Sequence, residues 1–274
     1  MGGFLEPGEA IYASPTGNGV GFQNDPASLS TALASGRNIY LLNGTYTGGI
    51  TVSNPITMQA APGHSPVIDG SGTNNPTITV SADAAIKGLS IVGSYALGEG
   101  NHFMECNVYS GNASAITIEN CSLTNFNHCA IKTAGKLTAR NNTISHGGYS
   151  ALDHGIYIRD ANGSEISGNE ISGASGWGIH AYNYAYNAVI SGNNIHDNHG
   201  GILVTGEGHT ITGNTITNNS GGHGIDFFHY GLIGLTVTGN TLSGNTAYDM
   251  YLDAGAGEGF TNCTISGNTG TKNW

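Results

Sequence analysis

Charge is what this chain has least of. Asp, Glu, Lys and Arg together make up 9% of its 274 residues, and only seven are basic; an ordinary globular domain has about a quarter charged. A formal net charge of −11 argues against nucleic acid or an anionic membrane surface as the main partner. No run of 18 apolar residues occurs, so nothing reads as a bilayer span. The four cysteines (Cys106, Cys121, Cys129, Cys263) lack zinc-ligand spacing. The start, Met1-Gly2-Gly3, carries no apolar signal-peptide core, which leaves open a chain without its leader or a cytosolic start.

What the chain has in abundance is glycine, 45 residues, and one recurring phrase. It appears as Ala139-Arg140-Asn141-Asn142-Thr143-Ile144, Ile166-Ser167-Gly168-Asn169-Glu170-Ile171 and Ile190-Ser191-Gly192-Asn193-Asn194-Ile195. It returns as Ile211 to Ile216 and Val237 to Leu242, with fainter copies at Ile118 to Leu123 and Phe260 to Ile265, where Cys121 and Cys263 stand in the Asn place. The first residues lie 21, 27, 24, 21, 26 and 23 positions apart. Units of that length cannot bury an apolar face alone and must stack on their neighbours.

A second phrase follows in each unit: Ile131-Lys132-Thr133, Ile156-Tyr157-Ile158, Ile179-His180-Ala181, Ile202-Leu203-Val204, Ile225-Asp226-Phe227, Met250-Tyr251-Leu252. Alternation with period two means short strands with the middle residue outward. Two or three such strands per unit, joined by Gly/Asn turns, close one coil of a parallel β-helix. The expectation is an all-β, right-handed parallel β-helix in a single domain over residues 1–274, with regular coils over about 39–270. The N-terminal cap covers about 10–38: a strand at Ala10 to Ala13, then a short helix with Asp25 as N-cap and Pro26 at its first position, stopping at Gly36. Strands are expected at Ile39 to Leu42, Ile50 to Val52, Ile56 to Met58, Val67-Ile68, Thr77 to Val80 and Ala85 to Val92. Gly93 to Asn101 reads as a protruding loop. No helix closes the C-terminus, where Trp274 or a partner subunit is expected to cover the last coil. Cys121 and Cys263 sit in one turn several coils apart, too far to bond; Cys106 and Cys129 could meet across adjacent coils, but buried free thiols are the main expectation and the compartment stays open.

The copies of Ile-Ser-Gly-Asn-x-Ile, with Asp153-His154-Gly155-Ile156-Tyr157-Ile158 and His223-Gly224-Ile225-Asp226-Phe227, resemble the right-handed β-helix repeats of the pectate-lyase-like superfamily. Tyr12-Ala13-Ser14-Pro15-Thr16-Gly17 and Asn43-Gly44-Thr45-Tyr46 are similar to the opening of its secreted members. The resemblance implies a secreted protein acting on polysaccharide. It spans lyases, glycoside hydrolases, uronan epimerases and non-catalytic adhesins, so chemistry must come from the residues. The multi-Asp calcium set of pectate lyases and the paired Asp of polygalacturonases are both missing.

Stacking puts outward residues into rows about 4.8 Å apart. One row is Lys132, Tyr157, His180, Leu203, Asp226, Tyr251; two residues on lies Ala134, Arg159, Tyr182, Thr205, Phe228, Asp253. Lys132, Tyr157, Arg159, His180 and Tyr182 therefore converge within three coils. Four of the seven cations (Lys132, Lys136, Arg140, Arg159) fall within 28 residues. The long connection from Ile144 to Ile156 adds His146, Tyr149, Asp153 and His154, and an extended turn adds Tyr182, Tyr184 and Tyr186. The bland alternative is that these rows are solvated strand faces, that His154 and His223 merely stack in turns, and that Trp177 packs at a turn.

A positive patch on an acidic protein predicts an acidic polysaccharide, bound by a monomer and cleaved by β-elimination. Arg159 or Lys132 neutralises the uronate carboxylate. His180, Lys132 or Tyr157 takes the C5 proton, and Tyr157 or a His protonates the leaving oxygen. Arg140, His146, Tyr149, His154, Trp177, Tyr182, Tyr184 and Asp226 are expected to bind substrate. No cofactor is required, although calcium could replace the cationic side chain, with Asp153 and Asp160 as the nearest carboxylates, a thin set for a cation that wants six or more oxygens. A glycoside hydrolase using Asp153 and Asp226 would separate its acids by three coils, about 14 Å, and a binding solenoid without turnover remains the third alternative.

Overall fold

A computed structural model describes residues 9–73, 75–94, 105–112, 114–182, 184–228, 232–253 and 259–274. Three parallel sheets form the faces of a right-handed solenoid. The first sheet has eleven strands and runs from Ile11–Ala13 to Thr264–Ser266; the second and third have nine each. In one coil the chain passes from Glu165–Ser167 on the first sheet to Glu170–Ala174 on the second and Trp177–Tyr182 on the third, then climbs to Val189–Ser191 above its start.

The period-two pattern explains the interior. Ile118, Ala139, Ile166, Ile190, Ile211 and Val237 stack as one fully buried column of the first sheet. Ile131, Ile156, Ile179, Ile202, Ile225 and Met250 do the same on the third. Each large aliphatic side chain so buried contributes about 1.5–3 kcal/mol.

The Asn of the repeat closes the turn between first and second sheets. Asn169 accepts at Oδ1 from the Asn142 backbone N–H (3.0 Å) and from Asn142 Nδ2 (2.9 Å). Its own Nδ2 donates to Asn193 Oδ1 (2.9 Å) and to the Ala139 carbonyl (3.0 Å). The ladder continues through Asn214 and Asn240 to Asn268. Every side-chain amide there is satisfied, which is what a buried polar column requires.

Several expectations need correction. The helix is Leu29–Ala34 and its N-cap is Ser28, whose Oγ accepts from the Thr31 N–H (3.1 Å). Asp25 cannot cap it, because Ala27 already exchanges hydrogen bonds with Tyr12 and Ser14 beside the strand Ile11–Ala13. That strand pairs with Ile39–Leu41, so regular stacking begins before residue 39. Ala85 to Val92 is two strands, Ala84–Lys87 and Ser90–Val92, on different sheets, parted by Gly88 at φ +66°. The last copy of the repeat is Ile265 to Gly270, with Asn268 in the Asn place. Cys263 precedes the strand Thr264–Ser266 and caps the Leu235 N–H from the other end of the first sheet; it shares no turn with Cys121, whose own N–H donates to Asn142 Oδ1. All four cysteines are free thiols. The expected loop at Gly93 to Asn101 lies, from residue 95 on, outside the described residues. At the C-terminus Trp274 packs on Phe260 and Phe227, as expected.

A second polar ladder went unread in the sequence. Asn198, Asn219 and Asn245 stack at the turn between second and third sheets, each Oδ1 accepting from the coil before. Upstream, the same row holds Phe126, Gly147 and Ala174.

Candidate active site

The outer face of the third sheet carries the expected row. Register pairs Tyr109 with Lys132, Lys132 with Tyr157, Tyr157 with His180, His180 with Leu203, Leu203 with Asp226 and Asp226 with Tyr251. Arg159 lies opposite Tyr182. Lys132, Tyr157 and His180 thus share one side of the solenoid, and the Lys132 ammonium stands 5.7 Å from the Tyr157 ring centroid.

Three positions before the strands, where the Asn ladder is absent, the same register brings His128 beside Asp153. His128 Nδ1 donates to Asp153 Oδ1 (2.7 Å), and its Nε2 lies 3.3 Å from Lys132 Nζ. With Nδ1 donating to a carboxylate, Nε2 offers its lone pair to the ammonium. Asp153 Oδ2 accepts from the N–H groups of Tyr149 (2.8 Å) and Ser150 (2.7 Å) and from Ser150 Oγ (3.0 Å). Burial alone would raise its pKa; these bonds, His128's first, hold it below the usual carboxylate range. The long connection before Ile156 thus seats one ionised acid. His128 was not among the sequence candidates, because its coil lacks both the Asn and the Gly of the repeat. Counting three residues back from Ile131 and Ile156 finds it.

A pair of imidazoles sits one coil on. The Trp177 N–H donates to His154 Nδ1 (3.0 Å), so the His154 proton is on Nε2, which donates to His180 Nδ1 (2.8 Å). That places the His180 proton on Nε2, buried and without a partner among the described residues. Burial drives both rings to the neutral form, His180 down to about 3 and His154 well below its ordinary value. His180 accordingly presents a hydrogen and no lone pair, which removes it as the base. Tyr157 and Tyr182 flank its ring at 5.0 and 5.1 Å. Burial raises the Tyr157 pKa, with Arg159 opposing, so its phenol keeps its proton.

Lys132, Tyr157 and Arg159 border two adjoining clefts of about 290 and 390 Å³. The smaller includes Tyr109, Ser110 and Asp160; the larger is walled by Leu152, Trp177, Tyr182, Leu203 and Phe228. Trp177 is thus both turn packing and cleft wall. The remaining expected contacts divide. Arg140 belongs to the first sheet and forms a bidentate pair with Glu165 (2.9 and 2.5 Å). His146 lies exposed on the second sheet. Neither joins the cluster, because 24 residues of chain turn through all three faces. Tyr149 contributes its backbone N–H to Asp153, and Tyr184 stands exposed against Tyr186 outside both clefts. Asp226 is buried beyond Leu203; burial, then Asp253, lifts its pKa to about 7. Asp153 is spent on four donors and Asp160 pairs with Arg159 Nε (3.4 Å), so the two do not converge on a calcium-binding set.

A family profile described as "Right handed beta helix region" matches residues 77–233. The chain belongs to this right-handed β-helix family. Among solved structures, pectate lyase Pel9A is 20% identical with a TM-score of 0.71, covering 97% of this chain and 79% of that one. Alginate lyase from Paenibacillus sp. str. FPU-7 is 17% identical with a TM-score of 0.73, covering 96% and 95%. Dettilon tailspike protein (gp208) is 14% identical with a TM-score of 0.61, covering 94% and 62%. At these identities the likeness is one of fold, shared by lyases and a tailspike alike. Curated protein sequences contain no match. Among the described residues no helix is long and apolar enough to cross a membrane.

Proposed function

We propose that this β-helix protein is a secreted polysaccharide lyase that cleaves a uronate-containing chain by β-elimination, acting as a monomer in the third-sheet groove. The observation that carries this reading is Lys132, hydrogen-bonded to the buried His128–Asp153 pair and flanked by Tyr157 and Arg159.

Arg159, solvent-facing at the junction of the two clefts, pairs with the substrate carboxylate and makes the α-proton at C5 acidic. Lys132 passes its proton to His128 Nε2, where the imidazolium is held by ionised Asp153, and the free amine takes the C5 proton. The C5–H electron pair forms the C4=C5 bond as the C4–O bond breaks. Tyr157, its phenol protonated, gives that proton to the leaving oxygen. His180 Nε2–H has no other partner among the described residues and hydrogen-bonds a substrate oxygen in the cleft.

A hydrolase reading is weaker: Asp153 is engaged on both oxygens, and Asp226 lies three coils away, about 14 Å at the coil spacing, against about 5–9.5 Å for a glycosidase pair. Polyuronates and mixed uronate polymers are to be incubated with the protein, with and without calcium, and the ultraviolet absorbance of an unsaturated product followed. Rising absorbance that is lost in Lys132→Ala supports the lyase. Reducing ends without absorbance would indicate hydrolysis, and sugar binding without product a non-catalytic solenoid.

A further inference from the structure

The two clefts meeting at Lys132 differ in what they offer a sugar. Lys132 and Arg159 are the Lys or Arg residues that line either one, and both stand at the shared boundary. Away from it, the larger cleft is closed by Leu152, Trp177, Leu203 and Phe228. Its two imidazoles at that end, His154 and His180, are neutral and hydrogen-bonded to each other. Beyond Leu203 the outward row reaches Asp226, an acid whose Oδ1 has no partner among the described residues. An ionised uronate at the far end of the larger cleft, away from the boundary where Lys132 and Arg159 stand, would lose water against apolar walls with no counter-charge beside it, a placement that proteins avoid. A sugar without charge gains there: its C–H faces lie on Trp177, Leu203 and Phe228 while one hydroxyl accepts from His180 Nε2–H.

We infer that the substrate is a heteropolymer in which the uronate attacked at Lys132 is linked to an uncharged sugar, seated in the larger cleft, and is not a homopolyuronate. This rests on the β-elimination reading for its chemistry but not for its binding geometry. A homopolyuronate carries a carboxylate on every ring, whereas the Lys and Arg residues lining the two clefts stand only at their shared boundary.

The test compares two oligosaccharide series of equal length, one of uronate alternating with a 6-deoxy or other neutral hexose, one of the same uronate alone. Binding is measured by calorimetry to the intact Lys132→Ala protein, which keeps the ligand uncut. At least tenfold tighter binding of the alternating series is expected, as is at least tenfold higher kcat/KM for it with the unaltered protein. In Leu203→Lys, shown folded by its melting curve, the new cation should shrink that ratio about tenfold. Equal or tighter binding of the homo-oligomer overturns the inference even if neither series is cleaved. Failure to cleave either one, with the binding preference intact, sinks the lyase reading and leaves the inference standing.

Discussion

The turn between second and third sheets is built in two ways along one molecule. In the later coils Asn198, Asn219 and Asn245 fill it; Asn198 and Asn219 are bonded to the coil on either side, and Asn245 to the coil before and to Asp249 in its own. In the earlier coils Phe126, Gly147 and Ala174 take those places, and His128, Asp153 and His154 follow them. The ladder satisfies its own polar groups and leaves nothing for a ligand. Where it stops, the chain buys room for side chains whose hydrogen-bond needs extend outward, as the unpartnered Nε2 of His180 shows. Regularity in a solenoid marks stability, and its interruption marks the site.

Five experiments separate the two constructions. Lys132→Ala should lower kcat/KM by roughly a thousandfold with the urea midpoint unchanged, since Lys132 lies on the outer face; retained activity would remove it as the base. Asp153→Asn should cost about a hundredfold and shift the pH–rate profile, because His128 then loses the charge that stabilises its imidazolium. A purely structural Asp153 would lower stability without moving that profile.

In the ladder the expectation reverses. Asn219→Ala orphans the Asn198 N–H and the Ile195 carbonyl and should destabilise by about 1–3 kcal/mol, with turnover per folded molecule unaltered. Acid should act on the other construction. His154 and His180 are held neutral below their ordinary pKa, so the stability they carry is complete above about pH 6.5 and is lost as pH falls. The slope reaches at most about 1.4 kcal/mol per pH unit for each ring, and His180→Asn should flatten the urea-measured profile. Asp226 has the opposite sign: its raised pKa, about 7, means stability present below about pH 4 and lost as pH rises through 7. Asp226→Asn should therefore stabilise on the order of 1 kcal/mol at pH 8 and change little at pH 4.

Most of the fold was readable because its two constraints are periodic. Gly-Ile-x-Ile sets which residues face out, and every pair in the row from Lys132 to Tyr251 follows from it. The first Asn column is equally plain. What escaped lies where the period breaks. The coil containing His128 has neither Gly nor Asn in phase, so the repeat carries no register back to the residue that meets Asp153. Asn198, Asn219 and Asn245 were visible at the spacings of the first ladder, five residues on, but lay outside the phrase being followed. Cys263 resembles Cys121 in context, which points to a last copy five residues too early; hydrogen bonding places it at the opposite end of its strand. Proximity in sequence also misled: Arg140 and His146 are near Lys132 along the chain yet occupy other faces.

The aromatic group at the C-terminus has a bearing on assembly. A stack of parallel coils ends in strands whose backbone groups are free to recruit another chain. Here Trp274 folds across Phe260 (5.2 Å) and Phe227 (5.9 Å), while Lys272 bridges to Met250. At the other end the first-sheet edge strand is only three residues long and is hemmed by Ala27. Among the described residues, the first sheet's leading edge is thus short and partly covered, and the last coil carries an aromatic lid in place of a bare strand edge.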